Sequence, residues 1–453
     1  MKLFVIFISI ILLALGFKYI DGYFFLYSVF ILLTARILWH FCNVKDIRRN
    51  ILYVFVFSGW IIYTGLGFVR QGYMAQQSMA SEANNNLFLI YLVYILSTLL
   101  LFMPIKYMQD KKIKGFGRVV NQLMPDNKCV FLLIFASIGL SVFQIYLAGG
   151  WHNFVYAAYG QKTDSSYLTF FNLFSGIATN TLYLILPVLC FYTKSSIKIL
   201  AVVYFIFSIV MGSINGSSLS IFNPLLALFT FKYLTTHDSY KKRKLKKYFV
   251  MALIAGVVGG ILIRQNRSDN ENFSFNVLDN AMEDVLMSST FDNITNLQKI
   301  LDLSPQGSVG QFIYPYVNYL PRSVFPWKPM EMGRIISYKF KDMDEDKFIG
   351  FLPSPIGEFY YDFGFLGVII GMLFVGFVLG WLQEKMNRTY NSSILLWGYF
   401  VGLCIYSTIY SGWYTGCFIR FVRLFIFIFL VYCLNYLFRY KKHSYDIQRI
   451  HKT

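Results

Sequence analysis

The sequence predicts an all-α polytopic membrane protein with about twelve transmembrane helices, and three observations support this prediction. Of the 453 residues, 56% are hydrophobic and only 14% are charged, whereas about 25% of the residues are charged in a typical soluble domain. The apolar residues gather in runs close to the roughly twenty that a helix needs to cross the hydrocarbon core. The basic residues gather in the short connections between those runs, which is the pattern that orients helices in a bilayer.

Twelve apolar runs carry the prediction of membrane-crossing helices. The runs are residues 3–17, 22–39, 51–69, 87–105, 129–148, 168–192, 199–214, 219–234, 248–263, 363–382, 394–410 and 421–438. The predicted divisions are helices 1–9 in residues 1–263, a large outer loop in 264–362, helices 10–12 in 363–438 and a basic tail in 439–453. The runs 199–214 and 219–234 are short, and the small link between them predicts a tight hairpin that need not cross the membrane fully.

The positive charges give the predicted orientation of these helices. Basic clusters such as Lys45, Arg48 and Arg49, the run 241–247 and the tail all lie in connections on one side of the membrane. The positive-inside rule places that side, and both termini, in the cytoplasm. Residues 264–362 are then expected outside the cytoplasm.

The net charge of +18 and the six cysteines exclude several other classes of protein. The positive charges follow the helix ends and form no single patch, so no binding of nucleic acid is predicted. The cysteines lie in or beside apolar runs with no Cys-x-x-Cys pair, so neither a disulfide framework nor a metal site is predicted. No nucleotide-binding motif occurs, and no cofactor is predicted.

The predicted outer loop, residues 264–362, is too long for a simple connection and is expected to be functional. It holds most of the acidic residues of the chain, together with a segment at 312–329 that is rich in aromatic residues and prolines. This composition predicts a folded cap and argues against a disordered segment.

The basic residues of this loop form the first candidate site. Guanidinium groups bind phosphate with paired hydrogen bonds and Lys acts as a point charge, so these side chains could hold the diphosphate of an anionic lipid at the membrane surface. The alternative is that they contact ordinary lipid headgroups, as basic residues at helix ends often do. The candidates are Arg264, Arg267, Arg322, Lys328 and Arg334.

A helix that starts at the end of the loop forms the second candidate site. Ser354 followed by Pro355 is a helix-start signal, with Ser as the cap and Pro in the first turn. The helix is predicted to continue through residue 382, which is longer than the bilayer needs. Its first two turns are therefore expected to stand in the outer headgroup zone.

Three polar residues share one face of those first turns, namely Glu358, Tyr361 and Asp362. A carboxylate in this position could take the proton from an attacking hydroxyl group. The alternative is that Glu358 pairs with Arg322 or Arg264 and only holds the cap in place.

Two further residues are weaker candidates for substrate binding. His152 is the one histidine of the predicted outer loops and could act as a base, although a histidine beside a tryptophan is also typical of a membrane interface. Asn215 lies in the link of the predicted short hairpin and could line the site.

Residues 353–367, Pro-Ser-Pro-Ile-Gly-Glu-Phe-Tyr-Tyr-Asp-Phe-Gly-Phe-Leu-Gly, resemble the Pro-Ser-x-x-Gly-Glu…Phe-Gly…Gly pattern of the Wzy-type polymerases of O-antigen and capsule repeat units. Residues 321–329 are similar to the segment that precedes this pattern in that family. The layout is similar too, with many helices, both ends inside and one dominant outer loop late in the chain. The specific motifs span only about residues 321–380, and Asn215 stands near a hairpin where many relatives have an Arg.

The resemblance implies a GT-C-like polymerase or ligase architecture in the bacterial cytoplasmic (inner) membrane, with the active loop facing the periplasm. It implies transfer of the growing glycan from undecaprenyl diphosphate to the non-reducing sugar of a new lipid-linked repeat unit, without nucleotide sugars. Arg322, Glu358 and Tyr361 would then be catalytic, and the other loop cations would bind the diphosphate. Membrane lipid, a chain-length regulator of the Wzz type and a flippase are the further partners that it implies.

Two other functions are compatible with this layout. A flippase of lipid-linked sugars also often has about twelve helices, but such transporters usually show repeat symmetry and charged or broken helices at the midplane. Ionisable residues are nearly absent from the apolar runs of this chain. A ligase that moves finished glycan onto lipid A shares the architecture and stays an alternative.

Overall fold

The computed structural model describes residues 2–43, 47–76, 86–109, 111, 127–147, 150, 181–183, 185–186, 189–190, 195–214, 218–236, 238, 240–245, 247–248, 292–303, 305–307, 309–317, 325–330, 332–341, 354–392, 426–427, 429–434 and 436–437. The regular secondary structure of these residues is entirely helical. The predicted all-α class is therefore confirmed for this part of the chain.

The main helices are labelled here in chain order. They are α1 (Lys2–Tyr19), α2 (Phe24–Cys42), α3 (Ile51–Gln76), α4 (Leu87–Gln109), α5 (Asn127–Leu147), α6 (Ser195–Ile214), α7 (Ser218–Thr235), α8 (Asn293–Leu301), α9 (Gly310–Val317), α10 (Met332–Lys341) and α11 (Ser354–Ser392). A 3-10 turn, Ile47–Asn50, leads into α3.

Five described helices are long and apolar enough to cross a membrane. They are Lys2–Tyr19, Phe24–Cys42, Ile47–Gln76, Leu87–Gln109 and Ser354–Arg388. Each of them overlaps a predicted apolar run, and α5, α6 and α7 overlap three further runs. The runs 248–263 and 394–410 fall almost entirely outside the described residues, and the full set of twelve crossings stays a prediction.

The chain forms two compact units. The first contains Met1–Ile113, Ile261–Lys385 and Cys404–Ile419, and the second contains Lys114–Gly260, Met386–Leu403 and Arg420–Thr453. In the second unit α6 packs against both α5 and α7. The candidate site residues that the structure describes all lie in the first unit.

The core of the first unit is a bundle of α1 to α4 with an aromatic interior. The rings of Phe68 and Tyr91 stack at 4.0 Å between centroids, and the Tyr27 hydroxyl donates to the Leu12 carbonyl at 3.0 Å. Aromatic pairs of this kind add about 0.5–1.5 kcal/mol each beyond the area that they bury. Of the helices in residues 264–362, α8 packs directly against α3 and α4 of this bundle.

The helix α11 starts at Ser354 as predicted but is not one continuous rod. Phe363 (φ −137°, ψ 21°) and Gly364 (φ +64°, ψ −149°) leave the helical conformation, so residues 354–362 form a short helix, α11a, and residues 365–392 a long one, α11b. The positive φ of Gly364 is readily adopted only by a residue without a Cβ. The expectation of an unbroken helix through residue 382 is wrong at this point.

The break turns α11a back along the start of α11b. The Phe359 ring lies against Gly371, where a Cβ would collide with it. Further along, Gly376 and Gly380 let α11b approach α4 at Leu101 and Met108, in the close contact that small residues four apart allow between membrane helices. The position of α11a is therefore set by a helix that is itself fixed in the bundle.

Candidate functional site

The helix α11a carries the central part of the candidate site. The Ser354 hydroxyl accepts a hydrogen bond from the Gly357 amide at 3.2 Å, which confirms the predicted capping role of this serine. Ser354 also has a φ of +58°, an unusual conformation for a residue with a side chain. The start of α11a is therefore held in one specific geometry.

Glu358 is fully buried in α11a, together with Ile356 and Phe359. A carboxylate removed from water is costly unless its surroundings compensate for the lost hydration. The placement of the first two turns in the outer headgroup zone stays a prediction, and within those turns the protein itself shields the Glu358 side chain from solvent. The predicted role of Glu358 in proton transfer stays a prediction.

Asp362 has a clear structural role that the sequence did not indicate. Its Oδ1 accepts from the Gln311 amide and its Oδ2 from the Phe312 amide, both at 3.0 Å. The carboxylate thereby satisfies the first amides of α9 and lies at the positive end of that helix. Its own carbonyl oxygen accepts from the Gly307 amide at 2.9 Å, so Asp362 fastens the residues around α9 to α11a.

Lys328 lies in a turn that rests on α9. The Lys328 amide donates to the Phe325 carbonyl at 3.1 Å, and Nζ is 5.9 Å from the centroid of the Tyr314 ring. The Gln311 side chain donates to the Met330 carbonyl at 2.8 Å. Because α9 is fastened to Asp362, the structure links the predicted diphosphate-binding turn to the helix that carries Glu358.

Tyr361 is half-buried on the side of α11a that faces α10. It packs on a buried apolar cluster formed by Ile300, Met332, Ile335 and Ile336. Lys339 Nζ lies 5.8 Å from the centroid of the Tyr361 ring, a distance at which a cation is attracted to an aromatic face. Tyr361 therefore sits between an apolar cluster and a positive charge.

The other candidates lie partly or wholly outside the described residues. The backbone of Arg334 belongs to α10, but its side chain is not described. The remaining five candidates lie outside the described residues, and their roles stay predictions: Arg264, Arg267, Arg322, His152 and Asn215.

An ion pair between Arg70 and Asp292 is the main feature of this region that the sequence did not reveal. Both residues are buried, with 9% and 8% of their surface exposed. Removing one partner of a buried pair typically costs about 3–5 kcal/mol, since the other charge is left uncompensated. The available signal was a charged residue directly after the apolar run 51–69, which is a candidate functional position.

No group of three or more His, Cys, Asp or Glu side chains suited to a metal ion occurs among the described residues. What the described site offers chemically is a buried carboxylate, a half-buried tyrosine and a lysine on a rigid turn. Such a set can position a hydroxyl nucleophile and attract an anionic group.

Comparison with known proteins gives the family of the chain. The family model described as O-antigen polysaccharide polymerase Wzy matches residues 1–443. No curated protein and no solved structure has a significant match to the chain. The family match covers the bundle, the outer-loop helices and α11, and its name agrees with the resemblance carried by residues 353–367. The chain therefore belongs to the O-antigen polysaccharide polymerase Wzy family.

Proposed function

We propose that this polymerase joins oligosaccharide repeat units carried on undecaprenyl diphosphate, at the outer face of the bacterial inner membrane. The observation that carries the proposal is the family match over residues 1–443. The five apolar helices that could span a membrane are consistent with a multi-pass protein acting on lipid-linked substrates. The product would be O-antigen or a capsular polysaccharide.

The proposed reaction transfers the growing glycan and releases its lipid carrier. The hydroxyl on the non-reducing sugar of a new unit attacks the anomeric carbon of the growing chain, and a glycosidic bond forms. The bond from that carbon to the diphosphate breaks, the hydroxyl proton passes to a base, and undecaprenyl diphosphate leaves. Two negative phosphates develop further charge as they depart, so fixed cations are the most effective catalytic groups.

The loop cations are proposed to hold that leaving group. Lys328 is supported by its place on the turn fixed to α9, and Arg322 precedes the same turn in the sequence. Arg264, Arg267 and Arg334 are proposed as further diphosphate ligands, because guanidinium groups bind phosphate oxygens with two hydrogen bonds.

Glu358 is proposed to orient or deprotonate the acceptor hydroxyl, with Tyr361 beside it. A general base must come within about 3 Å of the proton that it takes. Because Glu358 is fully buried, the acceptor reaches it only after the segments around α11a move. Until that movement occurs, the burial of Glu358 keeps water away from the carboxylate.

The proposed placement follows the charge pattern of the sequence. Both termini face the cytoplasm and residues 264–362 face the periplasm, in a GT-C-like arrangement of about twelve helices. A flippase would supply the lipid-linked units from the cytoplasmic side, and a Wzz-type regulator would set the chain length. His152 and Asn215 are proposed substrate contacts in the remaining outer segments.

The experiment that tests this function is complementation of a strain lacking the polymerase. Glu358→Gln and Arg322→Ala are expected to leave single repeat units on lipid A and no long chains, because one removes the base and the other a leaving-group cation. The glycan ladder on a gel is the measurement, with protein levels checked by immunoblot.

The same gel separates the proposed function from its rivals. Loss of a ligase would leave no repeat unit on lipid A, and loss of a flippase would leave the unit on the cytoplasmic side. A wild-type ladder from either variant at normal protein level would refute the role of that residue. A strain deleted for this gene that still makes long chains would refute the polymerase function itself.

A further inference from the structure

We propose that Arg70 is a positioning residue for polymerisation: its ion pair with Asp292 fixes α8, and α8 fixes the place of Glu358. This inference rests on the proposed role of Glu358 in the reaction. Arg70 belongs to α3, well before the outer loop in the sequence, and no sequence motif singles it out.

The carboxylate of Asp292 pairs with Arg70, although Asp292 lies at the start of a helix. Asp292 is the residue before α8, where an Asp side chain usually accepts a backbone amide of the first turn, but its side chain makes no such capping bond. It pairs instead with the Arg70 guanidinium in a buried setting. The Asp292 side chain therefore joins α8 to α3 of the bundle and does not cap α8.

Two neighbouring contacts hold the first turn of α8 on the outer end of α3. The Thr295 hydroxyl donates to the Gln71 side-chain oxygen at 2.8 Å. Gly67 lies so close to Asn293 that a Cβ added to the glycine would collide with the amide oxygen. With the ion pair, these contacts lie along one stretch of α3 and fix both the position and the rotation of α8.

The other end of α8 determines where α11a lies. Ile300 and Leu297 are fully buried, and Ile300 Cδ1 would be only 2.8 Å from a Cβ on Gly357. The Tyr360 hydroxyl donates to the carbonyl of Leu301, the last residue of α8, at 3.3 Å. Gly357 and Tyr360 lie on either side of Glu358 in the sequence, so a shift of α8 displaces the carboxylate.

The geometry also distinguishes positioning from direct binding of the diphosphate. The Arg70 guanidinium is buried and pairs with the Asp292 carboxylate inside the protein, while its Nε has no hydrogen-bond partner, whereas a diphosphate ligand needs a cation that faces the substrate. A displacement of about 1 Å at a reacting group can cost about 100-fold in rate. Loss of the Arg70 pair should therefore lower kcat while substrate affinity is retained.

The test uses full-length protein in lipid nanodiscs with lipid-diphosphate-linked repeat units as substrate. The key variant is the double change Arg70→Gln with Asp292→Asn, which removes both charges together and leaves no unpaired buried charge. Arg70→Lys keeps the positive charge with a shorter reach. Asp238→Asn is the matched control, because Asp238 pairs with Lys241 in an exposed setting at 3.9 Å, where such pairs contribute little.

We expect the double variant to lower kcat by about 10- to 100-fold with an unchanged KM. Arg70→Lys should fall between the double variant and wild type, and Asp238→Asn should match wild type. Activity is expressed per folded molecule, with the folded fraction taken from size-exclusion chromatography and the melting temperature.

Three outcomes would overturn the inference. A raised KM with unchanged kcat would make Arg70 a substrate ligand. A lower melting temperature with unchanged kcat per folded molecule would make the pair structural only. A double variant that forms no folded protein while Arg70→Lys has wild-type kcat would also remove the positioning role. Glu358→Gln is measured in the same assay, and wild-type activity there would refute the proposed role of Glu358 separately.

Discussion

Two carboxylates one helical turn apart, Glu358 and Asp362, have different surroundings in α11a. Asp362 uses both of its oxygens on amides of α9, where the helix dipole favours a negative charge. Glu358 is fully buried within the same short helix. The sequence pattern placed the two on one face and gave a catalytic role to Glu358 alone, and the contacts of Asp362 now assign it to the support of α9 and of the turn that carries Lys328.

The contribution of Asp362 can be measured by changing it to Asn. The amide keeps one acceptor oxygen and presents an NH2 group to a backbone amide that has lost its partner, so we expect a loss of about 1–3 kcal/mol. The expected signs are a lower melting temperature in detergent and faster proteolysis of residues 305–330.

The matched control for this change is Asp302→Asn. Asp302 accepts a single exposed hydrogen bond from Asn86 at 3.2 Å in the same unit, so little loss of stability is expected there. If Asp362→Asn melted and was cleaved like this control, the support of α9 by Asp362 would be refuted.

At the scale of the element, the break in α11 joins the outer-loop helices to the membrane bundle. The break lets α11a pack against α11b at Gly371, while other residues of α11a pack against α8 and α10. An unbroken helix would carry Glu358 away from α8, and the contact between Gly357 and Ile300 would not form. The sequence predicted the start of α11 from Ser354, but the long apolar run hid the break.

Gly364→Ala tests the need for this break. The backbone at φ +64° and ψ −149° is in a region that is essentially restricted to glycine, and a Cβ would lie 3.3 Å from Pro305. We expect a destabilisation of about 1–3 kcal/mol and a strongly shortened glycan ladder.

Gly139→Ala in α5 is the control for that change, since a Cβ there meets nothing within 4 Å. Both variants are compared by glycan ladder and melting temperature at equal protein level. A full-length ladder from Gly364→Ala would show that α11 functions without the glycine at its break.

At the scale of the whole molecule, composition predicted the bundle better than it predicted the site. The runs 51–69 and 87–105 correspond to α3 and α4. A helix that crosses a bilayer needs about twenty consecutive apolar residues, and such a run is visible in a short window of the sequence. The helix α3 continues past the predicted end of the third run at residue 69 to Gln76, and Arg70 in this extension is buried against its distant partner Asp292. Pairing between residues far apart in sequence leaves no local pattern.

The placement of the outer loop is the prediction that concerns the entire chain. Trp327 is 70% exposed on the turn beside Lys328, and Lys244 is exposed in the basic run that the positive-inside rule assigns to the cytoplasm. In spheroplasts, a membrane-impermeant maleimide should label Trp327→Cys before lysis and Lys244→Cys only after lysis. Labelling of the parent protein gives the background from its native cysteines, of which the described Cys42 and Cys129 are buried and Cys190 and Cys433 are partly exposed. The reverse order would place the loop in the cytoplasm, where it could not meet lipid-linked units that have crossed the membrane.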